Sequence, residues 1–266
     1  MIKEYPNGEE FIKDNVKLLD ANKYMSALFY FDAPLLNEIN NKDYALRAYN
    51  DDKSLVALKV SHYNLMLLGD KECLPELLKH IVKKELALEG VLCPTDIGDY
   101  LIQISSDLLH RKYHKQIGMD FMEAKDYIVP TSDDVIIPSP EDLDEIVKYS
   151  YNFMSDCGLP DIPNVTKIKE TLPNYRIIKV DNEIASMAKF GPNTENSMRI
   201  SYVYTHPKYR GRGLAKKVVN AIKNEILSRN MIPTLNVDQA NPISNHVYNS
   251  LGFKKVFSQG IYLPEK

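Results

Sequence analysis

The chain contains no tryptophan and only three cysteines among its 266 residues. Because Cys73, Cys93 and Cys157 are scattered and odd in number, we expect reduced thiols instead of a disulfide framework or a metal site. The longest apolar run, near Leu65–Leu68, is far shorter than the roughly eighteen residues that cross a bilayer. The first residues also lack the apolar stretch of a secretory signal. These absences predict a cytoplasmic protein with no membrane association and no bound metal.

The chain also lacks an excess of charge of either sign. The net charge is −3 and the sequence pI is about 6.1, so we do not expect a nucleic acid as partner. Hydrophobic residues make up 44% and charged residues 26%, as in soluble globular proteins with ample core. The length exceeds that of a typical single domain and predicts two domains.

Periodicity and turn signals divide the chain near its middle. A stretch between residues 127 and 140 contains Pro130, the acidic pair Asp133-Asp134 and Pro138-Ser139-Pro140, which are typical of a connector. We therefore predict domains at residues 1–130 and 131–266. For the first domain the patterns predict helical segments at 11–36, 44–50 and 74–88, a helix opened by Pro94-Thr95-Asp96, and strands at 55–68, 90–93 and 119–124.

The second domain reads as a mixed α/β structure. Two strand-like runs flank Asp181-Asn182-Glu183, which has the composition of a tight hairpin turn. The predicted elements are a helix at 141–157, strands at 175–180, 184–190 and 198–205, a helix at 214–229, a strand at 233–238, a helix at 242–251 and a closing strand at 255–263. Three antiparallel strands followed by alternating helices and strands predict a mostly antiparallel sheet flanked by helices.

The most informative segment is the loop Arg210-Gly211-Arg212-Gly213-Leu214-Ala215 between a predicted strand and a predicted helix. Its glycines leave backbone N–H groups unshielded at the positive end of a helix dipole, which favours an anion site for phosphates. Arg210 and Arg212 can add bidentate contacts to phosphate oxygens. The alternative is a glycine-rich turn with solvated arginines.

Other phosphate-binding loops fit the same segment less well. It lacks the Gly-Lys-Ser/Thr ending of a nucleoside triphosphate loop. A dinucleotide-binding loop is an alternative interpretation. Gly211-x-Gly213-x-x-Lys216 partly matches its glycine motif, and Asp238 would be the acidic residue at the end of the following strand. Lysine replaces the third small residue, however, and too little chain follows Asp238 for the second half of a doubly wound sheet. An NAD(P)-dependent oxidoreductase therefore stays as the weaker alternative.

Two motifs carry a resemblance to a known family. Arg210-x-x-Gly213-x-Ala215 resembles the Gln/Arg-x-x-Gly-x-Gly/Ala motif of the GNAT superfamily of N-acetyltransferases. The segment from Asn241 through Tyr248 to Gly252-Phe253 is similar to the family's Asn-x-x-Ala-x-x-x-Tyr-x-x-x-Gly-Phe segment, with Ser244 in place of the usual alanine. The resemblance covers about residues 135–266. It implies the GNAT fold, with a central, mostly antiparallel sheet flanked by helices.

The resemblance implies acetyl-CoA as cosubstrate and assigns roles by position. Backbone groups of the strand before the loop would pair with the pantetheine arm and polarise the thioester, which contributes about 3 kcal/mol in comparable sites. Amides of the loop would hold the diphosphate. The cofactor-binding positions carried over are Val203, Tyr204, Thr205, Arg210, Gly211, Arg212, Gly213, Leu214, Ala215 and Asn241.

The proton-transfer groups are harder to assign. Tyr248 matches the tyrosine that protonates the leaving thiolate in the family, and its alternative is a packed aromatic residue. Asn241 is either a cofactor contact or an ordinary helix cap before a proline. For the general base, Asp238 and Glu195 are weak candidates, and a water chain is the third option.

The resemblance thus predicts an enzyme that transfers an acetyl or short acyl group from acetyl-CoA to a primary amine, a small molecule or amino acid. A non-catalytic CoA-binding regulatory module is the alternative, and a homodimer is left open. Residues 55–124 loosely resemble a degenerate copy of the same fold, with Ile117-Gly118-Met119 echoing Leu251-Gly252-Phe253. The acidic loop Gly69-Asp70-Lys71-Glu72 would repel a diphosphate, so we expect no cofactor there and a role in shaping the acceptor site or a dimer.

Overall fold

The computed structural model describes residues 1–38, 42–61, 63–125, 129–158 and 162–265. Within them the helices are α1 Gly8–Ala21, α2 Lys23–Asp32, α3 Leu74–Lys83, α4 Thr95–Leu109, α5 Leu143–Asp156, α6 Val165–Glu170, α7 Leu214–Ser228 and α8 Pro242–Ser250. The strands are β1 Ile2–Tyr5, β2 Tyr44–Tyr49, β3 Ser54–Lys59, β4 Leu65–Gly69, β5 Val91–Pro94, β6 Tyr113–Glu123, β7 Tyr175–Val180, β8 Glu183–Thr194, β9 Ser197–Thr205, β10 Ile232–Asp238 and β11 Lys254–Pro264.

The chain forms two compact units. The first contains Met1–Asp120, Asp238–Ala240 and Phe257–Lys266, and the second contains Phe121–Val237 and Asn241–Val256. The predicted division at residue 130/131 therefore lies after the point where the chain enters the second unit, and the C-terminal residues return to the first. They return because β11 pairs with β5 through Gln259↔Pro94 to Tyr262↔Val91, an antiparallel pairing that no local pattern encodes. Residues 126–128 of the predicted connector lie outside the described residues.

The first unit is a mostly antiparallel sheet with helices on both faces, in the strand order β1-β2-β3-β4-β5-β11-β6. Alternate residues of a strand point to opposite faces. Leu55 and Ala57 of β3 accordingly join the cluster built on α3 and α4, whereas Val56 and Leu58 join the cluster built on α1 and α2.

The second unit has the same kind of architecture. Its strands β10, β9, β8 and β7 are neighbours in that order, with β9 antiparallel to β8 and parallel to β10. On one face α7 and α8 pack on Phe190 and Ile200, and on the other α5 and α6 pack on Met187 and Tyr204. The predicted mixed α/β class with a mostly antiparallel sheet flanked by helices is confirmed.

The two units repeat one order of elements. In the first, antiparallel β3 and β4 lead through α3 to β5, which is parallel to β4. In the second, antiparallel β8 and β9 lead through α7 to β10, which is parallel to β9. The evidence for a repeat is this shared order of elements. The similarity between the short segments around Gly118 and Gly252 is not evidence for it, because Gly118 lies inside strand β6 whereas Gly252 follows helix α8.

Three local predictions were wrong for identifiable reasons. The segment 44–50 forms strand β2 and not a helix, since short apolar runs do not separate the two states by periodicity. The single strand predicted over 55–68 is two strands, β3 and β4, separated by a turn at Ser61, whose φ is 52°. Neither Thr95 nor Asp96 caps α4, because the N-cap position is Pro94 and it makes no side-chain cap bond.

In the part of the chain that the structure describes, no helix is both long enough and apolar enough to cross a membrane.

Candidate active site

The loop between β9 and α7 presents unpaired backbone donors. The first hydrogen bond of the helix region runs from Lys217 N to Gly213 O, at 3.2 Å. Before it, the N–H groups of Tyr209 and Arg210 bond to His206 O and Pro207 O. Among the described residues, the N–H groups of residues 211–216 meet no acceptor. These amides lie at the positive end of α7, so the loop is built to bind an anion.

Both loop glycines have backbone angles that explain their identity. Gly211 has φ 79° and Gly213 has φ 73°, the left-handed region that side chains disfavour. A Cβ placed on either one would meet no atom within 4 Å. The space in front of the loop is therefore open, and a side chain there would obstruct a ligand without colliding with the protein.

The base of the loop is held rigidly. Tyr209 is buried, and its hydroxyl donates to Glu183 Oε2 at 2.7 Å. The His206 ring lies between the rings of Tyr149 and Tyr209, at centroid distances of 5.7 and 5.8 Å. These contacts tie the loop to β8 and α5, so its amides are pre-positioned.

The two loop arginines differ in their contacts. Arg210 Nε donates to Thr205 O at 3.0 Å, and its guanidinium forms an ion pair with Asp156 at 2.9 Å. Arg212 lies over the Tyr209 ring at 5.3 Å and has no ion pair or hydrogen bond within the described ranges. Arg210 is thus engaged in holding the loop, and Arg212 keeps its donors available.

Strands β9 and β10 separate beside this loop. Their parallel pairing runs from Ile232↔Ser197 to Thr234↔Arg199. Both strands nevertheless continue, β9 to Thr205 and β10 to Asp238. Among the residues that the structure describes, the facing edges beyond Arg199 therefore have main-chain groups without a partner on the other strand, and an extended ligand between the strands could bond to them.

A β-bulge interrupts β9 at this opening. The pairing with β8 passes from Met187↔Tyr204 to Lys189↔Ser201, so Tyr202 and Val203 together face Ala188. Tyr202 has φ 52°, which is rare for an aromatic residue. Bulges occur next to active sites, where they redirect a strand. The sequence pattern gave no signal for this feature.

The β9 residues predicted to contact the cofactor direct their main-chain groups to different sides of the strand. His206 N donates to Ala185 O at 3.0 Å, so strand alternation turns the Thr205 main chain away from β8 and toward the opening. The Tyr204 carbonyl accepts from Ser186 Oγ at 3.2 Å and thus faces β8. The Thr205 carbonyl already accepts from Arg210, which leaves its N–H as the group directed to a ligand.

Asn241 and Tyr248 both lie on or before α8. The Asn241 side chain accepts from Ser244 N at 3.0 Å and thereby caps α8. This is the bond expected if Asn241 is a helix cap. Tyr248 is buried with Phe253 and Leu214 in one cluster. Burial, and to a lesser extent nearby Cys157, raise the pKa of Tyr248 to about 12, against the opposing effect of a hydrogen bond from Ser244.

The C-terminal end of α5 connects the two motifs. Asp156 binds Arg210 of the loop, and the next residue, Cys157, lies close enough to Tyr248 to affect its pKa. The loop, α5 and α8 are therefore brought together, although their residues are far apart in sequence.

Of the two candidate bases, Glu195 is not placed with this group, whereas Asp238 is the last residue of the strand β10 that borders the opening. Glu195 lies exposed in the turn between β8 and β9, beside the pair Thr194↔Ser197, whereas Thr205 marks the other end of β9. At about 3.3 Å per residue these ends are roughly 26 Å apart. The Asp238 carboxylate accepts from Ala240 N at 2.8 Å. Across the residues described, no group of three or more His, Cys, Asp and Glu side chains is arranged to hold a metal ion.

The comparisons with known proteins agree with this geometry. Residues 149–253 match the model of the acetyltransferase (GNAT) family. A search of curated proteins gave no match.

Solved structures with the same fold cover nearly all of the chain. An acetyltransferase from the GNAT family of Colwellia psychrerythraea is 12% identical, with a TM-score of 0.63 and 100% of both chains covered. A GCN5-related N-acetyltransferase from Sphaerobacter thermophilus is 11% identical, with a TM-score of 0.62 over 98% of this chain and 94% of that one. A tandem GNAT protein from the clavulanic acid biosynthesis pathway is 8% identical, with a TM-score of 0.58 over 100% and 98%.

At these identities the structural likeness establishes the fold, and the shared fold of the tandem protein fits the repeated order of elements in the two units. The family assignment comes from the sequence match, which includes the loop, the bulged strand and Tyr248. Residues 149–253 of this chain are a domain of the acetyltransferase (GNAT) family.

Proposed function

We propose that the protein transfers an acetyl or other short acyl group from acetyl-CoA to a primary amine of a small molecule, by direct attack of the amine on the thioester. The observation that carries the proposal is the row of unpaired N–H groups at residues 211–216, which lies at the end of the opening between β9 and β10. A diphosphate fits the first feature and an extended pantetheine arm fits the second.

The residues of the site have separable tasks in such a transfer. The loop amides and Arg212 bind the diphosphate, while Arg210 holds the loop to Asp156 and to the Thr205 carbonyl. The N–H of Thr205 and the bulged main chain at Val203 orient the thioester and stabilise the charge that develops on its oxygen. Tyr248 supplies a proton to the departing thiolate, because its phenol is protonated at neutral pH; its raised pKa makes it a weaker acid than a solvated tyrosine.

The general base is left to water in this proposal. Glu195 lies at the far end of β9, and the carboxylate of Asp238 at the end of β10 already accepts from Ala240 N. An ordered water chain, the third option considered from the sequence, can pass the amine proton to solvent.

A direct binding experiment tests the proposal. We expect acetyl-CoA to raise the melting temperature of the protein and NAD(P) to leave it unchanged, because the antiparallel pairing of β8 with β9 is not that of a doubly wound dinucleotide-binding sheet. Release of free thiol with a panel of amines would then show turnover. Stabilisation by NAD(P) alone would contradict the proposal, and acetyl-CoA binding without thiol release from any amine would favour a regulatory module.

The arginines give a second, sharper test. Because Arg212 has no ion pair with any described residue and Arg210 has two partners in the protein, we expect Arg212→Gln to weaken CoA binding about tenfold with little loss of stability. Arg210→Gln should instead lower the melting temperature and loosen the loop. Isothermal titration with CoA and with dephosphorylated pantetheine separates the two, since only the diphosphate-bearing ligand should respond to Arg212. Equal loss for both ligands would contradict this assignment.

A further inference from the structure

Two cations of the second unit share one face of the sheet beside the opening. Lys189 of β8 pairs with Ser201 of β9, and Gly191 pairs with Arg199. Directly paired residues of antiparallel strands point to the same face, so Lys189, Ser201 and Arg199 project together. Diagonal neighbours of this kind are about 7–8 Å apart at their Cα atoms, a separation that two long side chains span easily. Tyr175 of β7, opposite Lys189, completes the row.

This face is the one covered by α5 and α6, opposite the face that packs on α7. Phe153 of α5 contacts the ring of Tyr202 at 5.1 Å, and Lys189 lies over the Tyr175 and Tyr202 rings at 5.4 and 5.9 Å. The cations therefore lie directly beside the bulge, and Arg199 ends the paired part of β9 and β10.

Neither cation has an anionic partner. In the described ranges Lys189 and Arg199 form no ion pair and no hydrogen bond, whereas Arg176 of the same unit binds Glu225 and Lys223 donates to Leu251 O. Lys189 is half-buried, where an unpaired charge is costly. Arg199 is exposed, so its guanidinium is open to a ligand.

The electrostatic surroundings agree. Desolvation lowers the pKa of Lys189, and the charge of Lys167 on α6 is the second cause. Desolvation is also the main cause that lowers the pKa of Arg199, although this side chain is exposed. The Tyr202 hydroxyl opposes that shift, and no carboxylate of a described residue changes the pKa of either group.

We infer that Lys189 and Arg199 bind an anionic group of the acceptor, so that the preferred acceptor is a small amine bearing a carboxylate or a phosphate. The inference rests on the proposed acyl transfer and names its substrate class. Val203 is four positions beyond Arg199 on β9, or about 13 Å of strand, which side-chain length reduces further. The acceptor therefore carries its amine and its anion on one small molecule, joined by a chain of several bonds.

The test compares matched acceptors that differ only in the anion. Thiol release from acetyl-CoA would be measured with glycine, glutamate and lysine against their C-terminal amides, and with ethanolamine phosphate against ethanolamine. We expect kcat/KM to favour at least one anionic member over its neutral partner by tenfold or more. Comparing the amino acid pairs with the ethanolamine phosphate pair shows whether a carboxylate or a phosphate is bound.

Substitutions test whether Lys189 and Arg199 cause the preference for an anionic acceptor. Lys189→Met and Arg199→Gln should each lower kcat/KM for the preferred anionic acceptor by about 10- to 100-fold and leave the neutral partner within threefold. Lys254→Met, which removes an exposed lysine of the same unit, serves as the control and should change neither. As a readout without turnover, N-acetylglycine should raise the melting temperature of the CoA-bound parent more than N-acetylglycinamide does, and the double variant should lose that difference.

The outcomes separate the two levels of inference. Transfer to amines with no preference for the anionic member, or equal losses for both members in the variants, overturns this assignment and leaves the acyltransferase proposal intact. Absence of acetyl-CoA binding by calorimetry overturns both. Retained acetyl-CoA binding in the variants shows that a loss of turnover arises at the acceptor and not from misfolding.

Discussion

Gly213→Val is expected to abolish measurable CoA binding, with a loss of affinity of at least about 100-fold. Gly213 has φ 73°, and the space in front of its Cβ position is empty within 4 Å. The new side chain would occupy the place of the diphosphate and remove at least two charge-assisted N–H bonds, each worth about 1.5–3 kcal/mol. Isothermal titration with CoA measures the effect directly.

Gly158→Val is a matched control for backbone strain. Gly158 has φ 63°, and its Cβ position is likewise open within 4 Å. Both substitutions should therefore cost a similar 1–2 kcal/mol of stability, which urea titration would show. Only the loop variant should lose CoA affinity. If Gly213→Val bound CoA as tightly as Gly158→Val, the loop amides would not be the diphosphate site.

Tyr248→Phe is expected to lower kcat about 100-fold while KM for acetyl-CoA stays within twofold. The substitution keeps the ring that packs with Phe253 and Leu214 and removes only the proton donor. General acid catalysis contributes about 10²–10⁴-fold in enzymes, which sets the scale. Steady-state thiol release at saturating acceptor would measure kcat.

The pH dependence of kcat in the unsubstituted protein follows from the raised pKa of Tyr248. Burial raises the pKa of Tyr248 from 10.0 to about 12, so the phenol stays protonated across the neutral range and its ionisation should not limit kcat below about pH 11. Its contribution to stability is fully present below pH 10 and is lost as pH rises through 12.

Tyr44→Phe is a control for the loss of a buried hydroxyl. Tyr44 and Tyr248 are both 7% exposed, and the Tyr44 hydroxyl donates to Ala87 O at 2.8 Å within the first unit. Tyr44→Phe should lower the free energy of unfolding by about 1 kcal/mol and leave kcat unchanged. A kcat for Tyr248→Phe within threefold of the parent would instead mark Tyr248 as a packing residue.

The sequence predicted the second unit better than the first. Strand β7 was placed at its observed ends, and the Asp181-Asn182 turn has φ values of 52° and 66°, as a tight hairpin requires. The N-terminal segment 44–50 was assigned the wrong type, because burial on both faces of β2 removes the alternation that identifies a strand.

Local pattern could not reveal the features that arise from pairing between distant segments. The bulge at Tyr202 depends on the register between β8 and β9, and the separation of β9 from β10 depends on where their pairing stops. The same holds for Lys189 and Arg199, which are ten positions apart in sequence and share a face only because of strand register.

The sequence by itself determined the glycine loop, the helix that follows it and the order of elements, because these depend on the φ angles that glycine allows and on the periodicity of nearby apolar residues. Only the tertiary structure decided which loop arginine is available, what surrounds Tyr248 and where the unpaired cations lie. Such properties depend on neighbours that are distant in sequence, as Asp156 is from Arg210, and only folding brings those groups within bonding distance.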